Sequence, residues 1–123
     1  MTGDQLINAI TEKTKMVWFS SPCNPSGSVY SKKELQEISN VLESDKGVFI
    51  VSDEIYEHIN YKGGHHSIGS FENVKNRTIT VNGVSKAFAM TGWRIGYIGA
   101  PEWIARSCNC LLYTSPSPRD FQV

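Results

Sequence analysis

Six polar residues of this sequence have side chains that together could bind and react with a small ligand. In chain order they are Asn24, Asp53, Tyr56, Ser85, Lys86 and Arg94. Lys86 follows an apolar, β-branched run at residues 78–81, where burying an ammonium group is costly unless something uses it. A desolvated lysine reaches its neutral form readily, and the neutral amine is the form that makes Schiff bases. We therefore expect Lys86 to act as a nucleophile.

The side chains that accompany Lys86 indicate what its ligand would be. Asp53 ends a very apolar run, so its carboxylate needs a cationic or donor partner, which a protonated ring nitrogen would supply. Ser85 and Arg94 are natural phosphate ligands, although Ser85 alone could cap a helix and Arg94 alone could pair with a surface carboxylate. A lysine that forms a Schiff base, together with a carboxylate for the pyridinium nitrogen, is the pairing that binds pyridoxal 5'-phosphate.

The spacing of apolar residues predicts the elements that would position these side chains. Ser31 and Glu34 fit a capping box, and the apolar residues after them recur at helical spacing, so a helix is expected over residues 31–43. Shorter helices are expected over residues 2–11 and 102–110, and strands over residues 15–20, 48–52, 77–81 and 94–99. Strands that alternate with helices indicate an α/β fold with a mostly parallel, helix-flanked sheet.

Three of the six residues follow the ends of predicted strands. Asn24 comes shortly after the first strand, Asp53 at the end of the second and Lys86 after the third. Ligands of such sheets lie outside the carboxyl ends of the strands, so we expect these side chains to converge along one edge. Just before Lys86, Asn82-Gly83 predicts a turn. Residues 55–61 alternate apolar and polar, which fits either a half-exposed strand or a short helix.

Charge and composition argue against several classes of protein. Lys and Arg total 12, as do Asp and Glu, and this balance argues against a nucleic-acid partner, which would need a clustered basic surface. No apolar run approaches the ~18 residues of a membrane span, and the residues after Met1 do not form a signal peptide. The three cysteines cannot all pair within one chain, so we expect a reducing, cytoplasmic location.

We expect no metal site. His65 and His66 lie in a glycine-rich segment without a paired cysteine motif, which favours a solvated loop. Cys108 and Cys110 lie on either side of the start of a segment that we predict below to be non-native, which argues against metal binding or redox chemistry. Cys23 is interpreted as a small residue in a tight loop rather than as a nucleophile.

Three motifs resemble those of one enzyme family. The stretch GVSKAFAMTGWRIG at residues 83–96 resembles, position for position, the lysine signature of the fold-type I, class I aminotransferases, which depend on pyridoxal phosphate. Asn-Pro-Ser-Gly at residues 24–27 looks like the family's Asn-Pro-x-Gly loop, and Asp-Glu-Ile-Tyr at residues 53–56 looks like its Asp-Glu-x-Tyr element. The resemblance covers about residues 2–109 and is greatest to bacterial aspartate aminotransferases, a group that includes enzymes also acting on prephenate.

The resemblance implies a role for each of the six residues. Lys86 would hold the cofactor as a Schiff base and then carry the proton of the amino transfer. Asp53 would keep the pyridine nitrogen protonated, while Asn24 and Tyr56 would hydrogen-bond the phenolic oxygen of the ring. Ser85 and Arg94 would bind the phosphate. The implied reaction is transamination between an amino acid, aspartate in the most similar group, and a 2-oxo acid, in a homodimeric parent protein.

The resemblance also implies what this chain lacks. It has no counterpart of the family's glycine-containing phosphate loop, of the aromatic residue that stacks on the ring, or of the arginine that binds the substrate carboxylate. We therefore predict part of a cofactor-binding large domain over residues 1–109, inactive on its own. Residues 110–123, which include two prolines, look like translated vector sequence, and we predict that they form a non-native, disordered tail.

Two other functions of the same fold stay open. The domain serves as a non-enzymatic ligand sensor in some transcription regulators, but these carry a basic winged-helix region that is not seen here. A lyase or decarboxylase of the same fold would keep the cofactor and change the reaction. The lysine signature favours transamination over that alternative.

Overall fold

The computed structural model describes residues 1–45, 47–61 and 63–116, and it has the α/β architecture that the sequence predicts. Its helices and strands are α1 (Gly3–Ala9), β1 (Met16–Ser20), α2 (Lys32–Glu43), β2 (Phe49–Asp53), β3 (Thr78–Gly83), β4 (Gly96–Gly99) and α3 (Glu102–Thr114). Single 3₁₀ turns lie at Ile68–Ser70, Lys75–Arg77 and Thr91–Trp93. Each predicted helix and strand is present, with bounds that differ by a few residues.

The four strands form one sheet in the order β1-β2-β3-β4. The first three are parallel and β4 is antiparallel to β3, so the prediction of a mostly parallel sheet is confirmed. Ser20 pairs in register with Asp53, and Asp53 pairs with Val81. The carboxyl ends of the three parallel strands therefore lie side by side. The segments that follow β1 and β2 leave the sheet at this edge, and β3 continues beyond it to Gly83.

The hydrophobic core lies between the first two helices and one face of the sheet. From α2, the side chains of Leu35, Ile38 and Leu42 are almost fully buried, because residues at this spacing share one face of a helix. Ile50 of β2 belongs to the same cluster. Val51 points to the opposite face of the sheet and is also buried. β2 is thus covered on both faces, as its continuous apolar sequence predicts.

Capping boxes begin α1 and α2, as predicted. At α2, the Ser31 hydroxyl accepts a hydrogen bond from the Glu34 N–H at 3.2 Å, and the Glu34 carboxylate accepts one from the Ser31 N–H at 2.8 Å. These reciprocal bonds satisfy two N–H groups that have no partner within the helix. Because Ser31 donates to it from the backbone and from the hydroxyl, the Glu34 carboxyl has a lowered pKa.

Arg77 closes the C-terminal end of α2. Its guanidinium donates hydrogen bonds to the backbone carbonyls of Leu42, Asp45 and Val48. The last carbonyls of a helix lack intrahelical partners, and the planar fork of arginine reaches several acceptors at once. One cation therefore joins the end of α2 to the start of β2. Burial lowers the pKa of this guanidinium, against an opposing influence of Asp45 and Glu43.

Residues 54–61 form consecutive turns, not the strand or helix that their alternation predicts. The N–H of Glu57 donates to the carbonyl of Glu54, and the N–H of Ile59 donates to the carbonyl of Tyr56, both at 2.9 Å. The N–H of Glu54 donates to the carbonyl of Val81 at 2.9 Å and so ties the segment to β3. The period of two does not mark a strand here, since bonds within the segment join residues three apart. We call residues 54–57 the turn segment.

Asn82 and Gly83 end a strand instead of forming the predicted turn. They pair with Tyr97 and Gly96 as the last residues of β3. A Cβ atom on Gly83 would lie 2.9 Å from the carbonyl oxygen of Ile95, so the glycine permits a close backbone approach. The chain turns after this pair, in the loop of residues 84–95 that connects β3 to β4.

The segment predicted to be a disordered tail begins as a helix. α3 continues past Cys110 to Thr114, whose hydroxyl donates to the Cys110 carbonyl at 2.8 Å. Ser115 is extended, because a residue before a proline is disfavoured in the helical conformation, and Pro116 follows it. Residues 117–123 lie outside the described part of the chain. No helix in the described ranges combines the length and apolar character needed to cross a bilayer.

Candidate active site

Asn24, Tyr56 and Lys86 come together at the carboxyl edge of the sheet. The side-chain amide of Asn24 donates a hydrogen bond to the phenol oxygen of Tyr56 at 3.1 Å. The Nζ atom of Lys86 lies 6.0 Å from the centroid of the Tyr56 ring, at the outer limit of a cation–π contact. Asn24 and Lys86 therefore both lie beside Tyr56, whereas the strand ends predict a group made of Asn24, Asp53 and Lys86.

The loop that carries Asn24 is closed by its own backbone. The N–H of Gly27 donates to the Cys23 carbonyl at 2.7 Å, and the N–H of Cys23 donates to the Ser28 carbonyl at 3.0 Å. Gly27 has a φ of 67°, a conformation that glycine adopts at little cost. A cleft of about 290 Å³ lies beside this loop, and Asn24 and Tyr56 are among the residues that line it.

Asp53 is the last residue of β2 and is half-buried. Its Oδ1 atom accepts a hydrogen bond from the N–H of Ile55 at 3.2 Å, and its backbone carbonyl accepts one from the N–H of Ser21 at 3.1 Å. Among the residues that the structure describes, no cationic side chain forms an ion pair with it. A backbone N–H is therefore the donor to this carboxylate, and the described residues supply no cationic side chain to it.

Ser85 and Arg94 line one cleft of about 190 Å³ at the base of the loop of residues 84–95. The Arg94 guanidinium donates to the Thr91 carbonyl at 3.0 Å, and the backbone at Arg94 is left-handed, with a φ of 54°. Its other N–H groups and the Ser85 hydroxyl have no hydrogen-bond partner within the described ranges. A hydroxyl and a guanidinium that share a cleft are a suitable set of donors for an anion.

The connecting loop is held by contacts at the backbone of Ser85. The Ser85 carbonyl accepts hydrogen bonds from the N–H of Met90 at 3.1 Å and from the hydroxyl of Thr91 at 3.2 Å. The N–H of Val84 donates to the carbonyl of Ile95 at 3.3 Å and continues the pairing of β3 with β4. Lys86 thus projects from a loop with a defined backbone.

Lys86 is exposed, whereas the sequence argument expects a desolvated amine. The Tyr56 ring is near it on one side, but Phe88, two residues further on, is 63% exposed. The outer face of this loop therefore has little packing against the described residues. The apolar strand before Lys86 ends at Gly83, and the lysine lies beyond the buried part of the chain.

Glu54, Glu57 and His65 form a cluster that the sequence reasoning missed. Glu54 is 3% exposed, and its carboxylate accepts hydrogen bonds from the Ser52 hydroxyl and from His65 Nε2, both at 3.0 Å. The prediction of a solvated loop is therefore wrong for His65, although His66 is exposed. A buried carboxylate after an apolar strand requires a donor. That argument, which we applied to Asp53, applies equally to Glu54 and is the signal that would have pointed to His65.

The cluster is joined by hydrogen bonds from protein side chains to its two carboxylates. Its ligand atoms lie within 4.8 Å of one another, a spacing that a metal could use. However, Nε2 of His65 donates to Glu54, and the side chain of Asn82 donates to Glu57 at 2.8 Å. The buried Nδ1 of His65 has no hydrogen-bond partner among the described residues. We interpret the cluster as a hydrogen-bonded network that joins the turn segment to β3.

The comparisons with known proteins agree with this geometry. The sequence profile described as aminotransferase class I and II matches residues 1–117. The chain belongs to this aminotransferase family. The resemblance inferred from the three motifs is confirmed, and the match also includes residues 110–117 of the segment predicted to be non-native.

Individual aminotransferases match almost the whole chain. Aspartate aminotransferase of Pyrococcus abyssi is 52% identical over 121 residues, which cover 96% of this chain and 31% of the relative. Aromatic-amino-acid aminotransferase 2 of Thermococcus litoralis is 42% identical over 98% of this chain and 31% of the relative. The crystal structure of the aspartate aminotransferase from Rhizobium meliloti gives a TM-score of 0.90 at 41% identity, over 95% of this chain and 30% of that one. The chain thus spans about a third of the length of these aminotransferases.

Proposed function

We propose that this chain carries the cofactor-binding lysine segment of a pyridoxal 5'-phosphate-dependent aminotransferase. The whole enzyme would move an amino group between an amino acid, with aspartate as the first choice, and a 2-oxo acid. The observation that carries the proposal is the contact group at the sheet edge. Lys86 Nζ lies 6.0 Å from the ring of Tyr56, and the phenol oxygen of that ring accepts the hydrogen bond of Asn24 at 3.1 Å.

The side chains of this group suit the reacting end of the cofactor. When bound, pyridoxal phosphate supplies an electron-accepting ring, to which a lysine attaches as a Schiff base. Lys86 Nζ would provide that amine and would also serve as the general base that accepts and returns a proton. Asn24 and Tyr56 offer an N–H and an O–H to the phenolic oxygen beside the aldehyde. Their mutual hydrogen bond holds both donors in place before the ligand arrives.

The other three residues suit the two remaining ends of the cofactor. The carboxylate of Asp53 favours a proton on the ring nitrogen, because an opposite charge at short range stabilises the charged form. Ser85 and Arg94 offer a hydroxyl and a guanidinium to the phosphate from their common cleft. The single bond of Arg94 to the Thr91 carbonyl orients the guanidinium and leaves its other N–H groups for the ligand.

The test is site-selective labelling of the complete 123-residue chain. Pyridoxal phosphate is added over a range of concentrations, the adduct is reduced with borohydride, and the modified lysines are located by peptide mapping. We expect saturable labelling of Lys86 at concentrations that leave Lys33, an exposed lysine of α2, unmodified. Lys86→Ala should abolish this labelling, and Lys33→Ala, the matched control, should retain it. Equal labelling of the two lysines in the unaltered chain would refute the proposal.

Pyridoxal without its phosphate separates the two halves of the site. Ser85→Ala and Arg94→Ala should raise the concentration of pyridoxal phosphate that labels Lys86, with no change for pyridoxal. Arg106→Ala, which alters an exposed arginine of α3, is the control and should change neither. Equal effects on both compounds would contradict a phosphate role for Ser85 and Arg94.

The catalytic competence of the segment is tested in a chimera, because we predict that the chain is inactive alone. Residues 1–109 replace the matching segment of the Pyrococcus abyssi aspartate aminotransferase, with which the chain is 52% identical. With aspartate and 2-oxoglutarate, the chimera should form oxaloacetate, and Lys86→Ala should stop this reaction. A folded chimera that binds the cofactor but makes no oxaloacetate would refute the catalytic role of this segment.

A further inference from the structure

One partly buried side-chain pair, Glu57 and Asn82, joins the turn segment to the end of β3. The Nδ2 atom of Asn82 donates a hydrogen bond to Oε1 of Glu57 at 2.8 Å, and Asn82 is 8% exposed. The Oδ1 atom of the same amide accepts the N–H of Gly83 at 2.8 Å. Both ends of the Asn82 amide are therefore engaged, one with the strand that leads to Lys86 and the other with the segment that carries Tyr56.

Other contacts hold the carboxylate of Glu57 in place. Nε2 of His58 lies 3.1 Å from Oε1, and Nε2 of His65 lies 3.8 Å from Oε2. The bond from Asn82 is a hydrogen bond to a charged acceptor, which is stronger than a bond between neutral groups. Glu57 is thus approached from three directions and makes its shortest contact with Asn82.

Two further contacts align the same segments. The N–H of Glu54 donates to the carbonyl of Val81, and the side chain of Ile55 packs where a Cβ on Gly83 would lie 3.1 Å from it. Tyr56 lies between Ile55 and Glu57, and so between two residues that are fixed on β3. The position of its ring relative to the loop of residues 84–95 depends on these contacts.

We infer that Glu57 and Asn82 are positioning residues that set the distance between the Tyr56 phenol and the Lys86 amine. This inference rests on the proposed function, in which those two groups face the cofactor together. Neither residue needs to touch the ligand. They act by holding the turn segment against the strand that enters the lysine loop, so that the amine stays beside the ring.

The variants distinguish the effect of the hydrogen bond between Asn82 and Glu57 from other effects of changing these side chains. Glu57→Ala removes the acceptor, whereas Glu57→Gln keeps an oxygen that can accept the bond from Asn82. Asn82→Asp keeps an acceptor for the N–H of Gly83 but loses the donor to Glu57. Glu72→Ala is the matched control, because Glu72 is an exposed glutamate whose ion pair with Lys75 lies outside the network.

The first measurement needs no cofactor. Lysines of the full chain are reductively methylated with ¹³C-formaldehyde, and the Lys86 signal is assigned from its absence in Lys86→Arg. We expect a nuclear Overhauser contact between the Lys86 N-methyl groups and the Tyr56 ring in the unaltered chain, in Glu72→Ala and in Glu57→Gln. We expect that contact to be lost in Glu57→Ala and in Asn82→Asp. Persistence of the contact in these two variants would overturn the inference.

A second Overhauser contact is the control for general unfolding. The rings of Phe19 and Tyr30 lie 5.3 Å apart, and we expect their Overhauser contact to survive in every variant. Its loss together with the Lys86 contact would contradict a local positioning role. Loss of the Lys86 contact in Glu57→Gln would also overturn the inference, because it would show that the charge of Glu57 matters and its bond to Asn82 does not.

A further measurement links Glu57 and Asn82 to ligand binding. The concentration of pyridoxal phosphate that half-labels Lys86 should rise about tenfold in Glu57→Ala and Asn82→Asp, the loss expected for one hydrogen bond to a charged group. In the double variant, the half-labelling concentration should rise no further than in the single variants, because both substitutions remove the same bond. Additive losses would overturn the inference. Failure of the unaltered chain to label selectively would instead refute the proposed function, and the magnetic resonance contact would still report on positioning.

Discussion

The side-chain amide of Asn24 donates a hydrogen bond to the phenol oxygen of Tyr56 at 3.1 Å, across 32 residues of sequence. The sheet makes this contact possible. Ser20 and Asp53 pair in register at the ends of β1 and β2, so the segments that follow them start from adjacent positions. Two motifs that are distant in the chain become one pair of donors because their strands end at the same level.

Asn24 and Tyr56 should act as a unit in cofactor binding. Tyr56→Phe and Asn24→Ala each break their shared bond, and a hydrogen bond of this kind contributes about 1 kcal/mol, so each change should weaken selective labelling of Lys86 by roughly fivefold. The double variant should lose much less than the product of the single losses. Titration with pyridoxal phosphate measures this, with Tyr113→Phe as the control at a 92% exposed tyrosine of α3. Strictly multiplicative losses would show that the two side chains act separately.

Gly83→Ala should destabilise the fold by about 1–3 kcal/mol, the usual cost of overpacking. The new Cβ would lie 2.9 Å from the Ile95 carbonyl oxygen, and neither backbone can move without breaking the pairing of β3 with β4. Gly99→Ala is the matched control, because a Cβ at that glycine of β4 meets nothing within 4 Å. Urea unfolding of the two variants compares them directly. Equal midpoints would contradict the assignment of Gly83 to a close backbone approach.

Arg77→Ala should cost about 2 kcal/mol, because it leaves partly buried carbonyls of Leu42, Asp45 and Val48 without their donor. Arg77→Lys should recover only part of the loss, since an ammonium group lacks the planar fork of donors. Arg106→Ala should change the free energy of unfolding by less than about 0.5 kcal/mol, because its ion pair with Glu102 is exposed. Chemical denaturation measures all three, and similar losses for Arg77→Ala and Arg106→Ala would refute the capping role.

Glu34 should make stability depend on pH in the acid range. Hydrogen bonds from Ser31 lower the pKa of this carboxyl in the folded chain, so the unfolded chain binds its proton first as the pH falls. The contribution is therefore complete above the unfolded pKa and is lost as the pH falls through the folded one. Glu34→Gln should flatten the fall of the melting temperature below about pH 5. Glu37→Gln, on the same helix, is the control, and an unchanged acid profile in Glu34→Gln would contradict the prediction.

Regular elements were predictable because their signals are local. The capping box at Ser31 and the apolar spacing of α2 are both set within a few residues, and the continuous apolar run of β2 reports burial on two faces. The prediction of a turn at Asn82-Gly83 is wrong because glycine permits both a tight turn and a close backbone approach, and the sequence does not distinguish the two. Here it allows Ile95 to approach, and the turn follows later.

The motifs predict which residues belong to the candidate site, but they do not predict the contacts that hold those residues in place. The motifs supplied all six residues, and their roles in binding the cofactor stay predictions. The contacts of Glu57 with Asn82 and of Glu54 with His65 depend on how the turn segment lies across β3, which no spacing reveals. The cytoplasmic location and the homodimer also stay predictions.

Antiparallel pairing of β3 with β4 places Lys86 and Arg94 in a single hairpin, closed by Gly83 opposite Gly96. Contacts between neighbours in sequence close short loops at a small entropic cost, whereas Asn24 reaches Tyr56 only after a parallel crossover has formed. Local folding of this hairpin therefore determines the distance between the Lys86 amine and the Arg94 guanidinium. The contact between the Asn24 amide and the Tyr56 phenol depends instead on pairing of strands that are distant in sequence. A substitution that slows assembly of the parallel strands delays the second half of the site and spares the first.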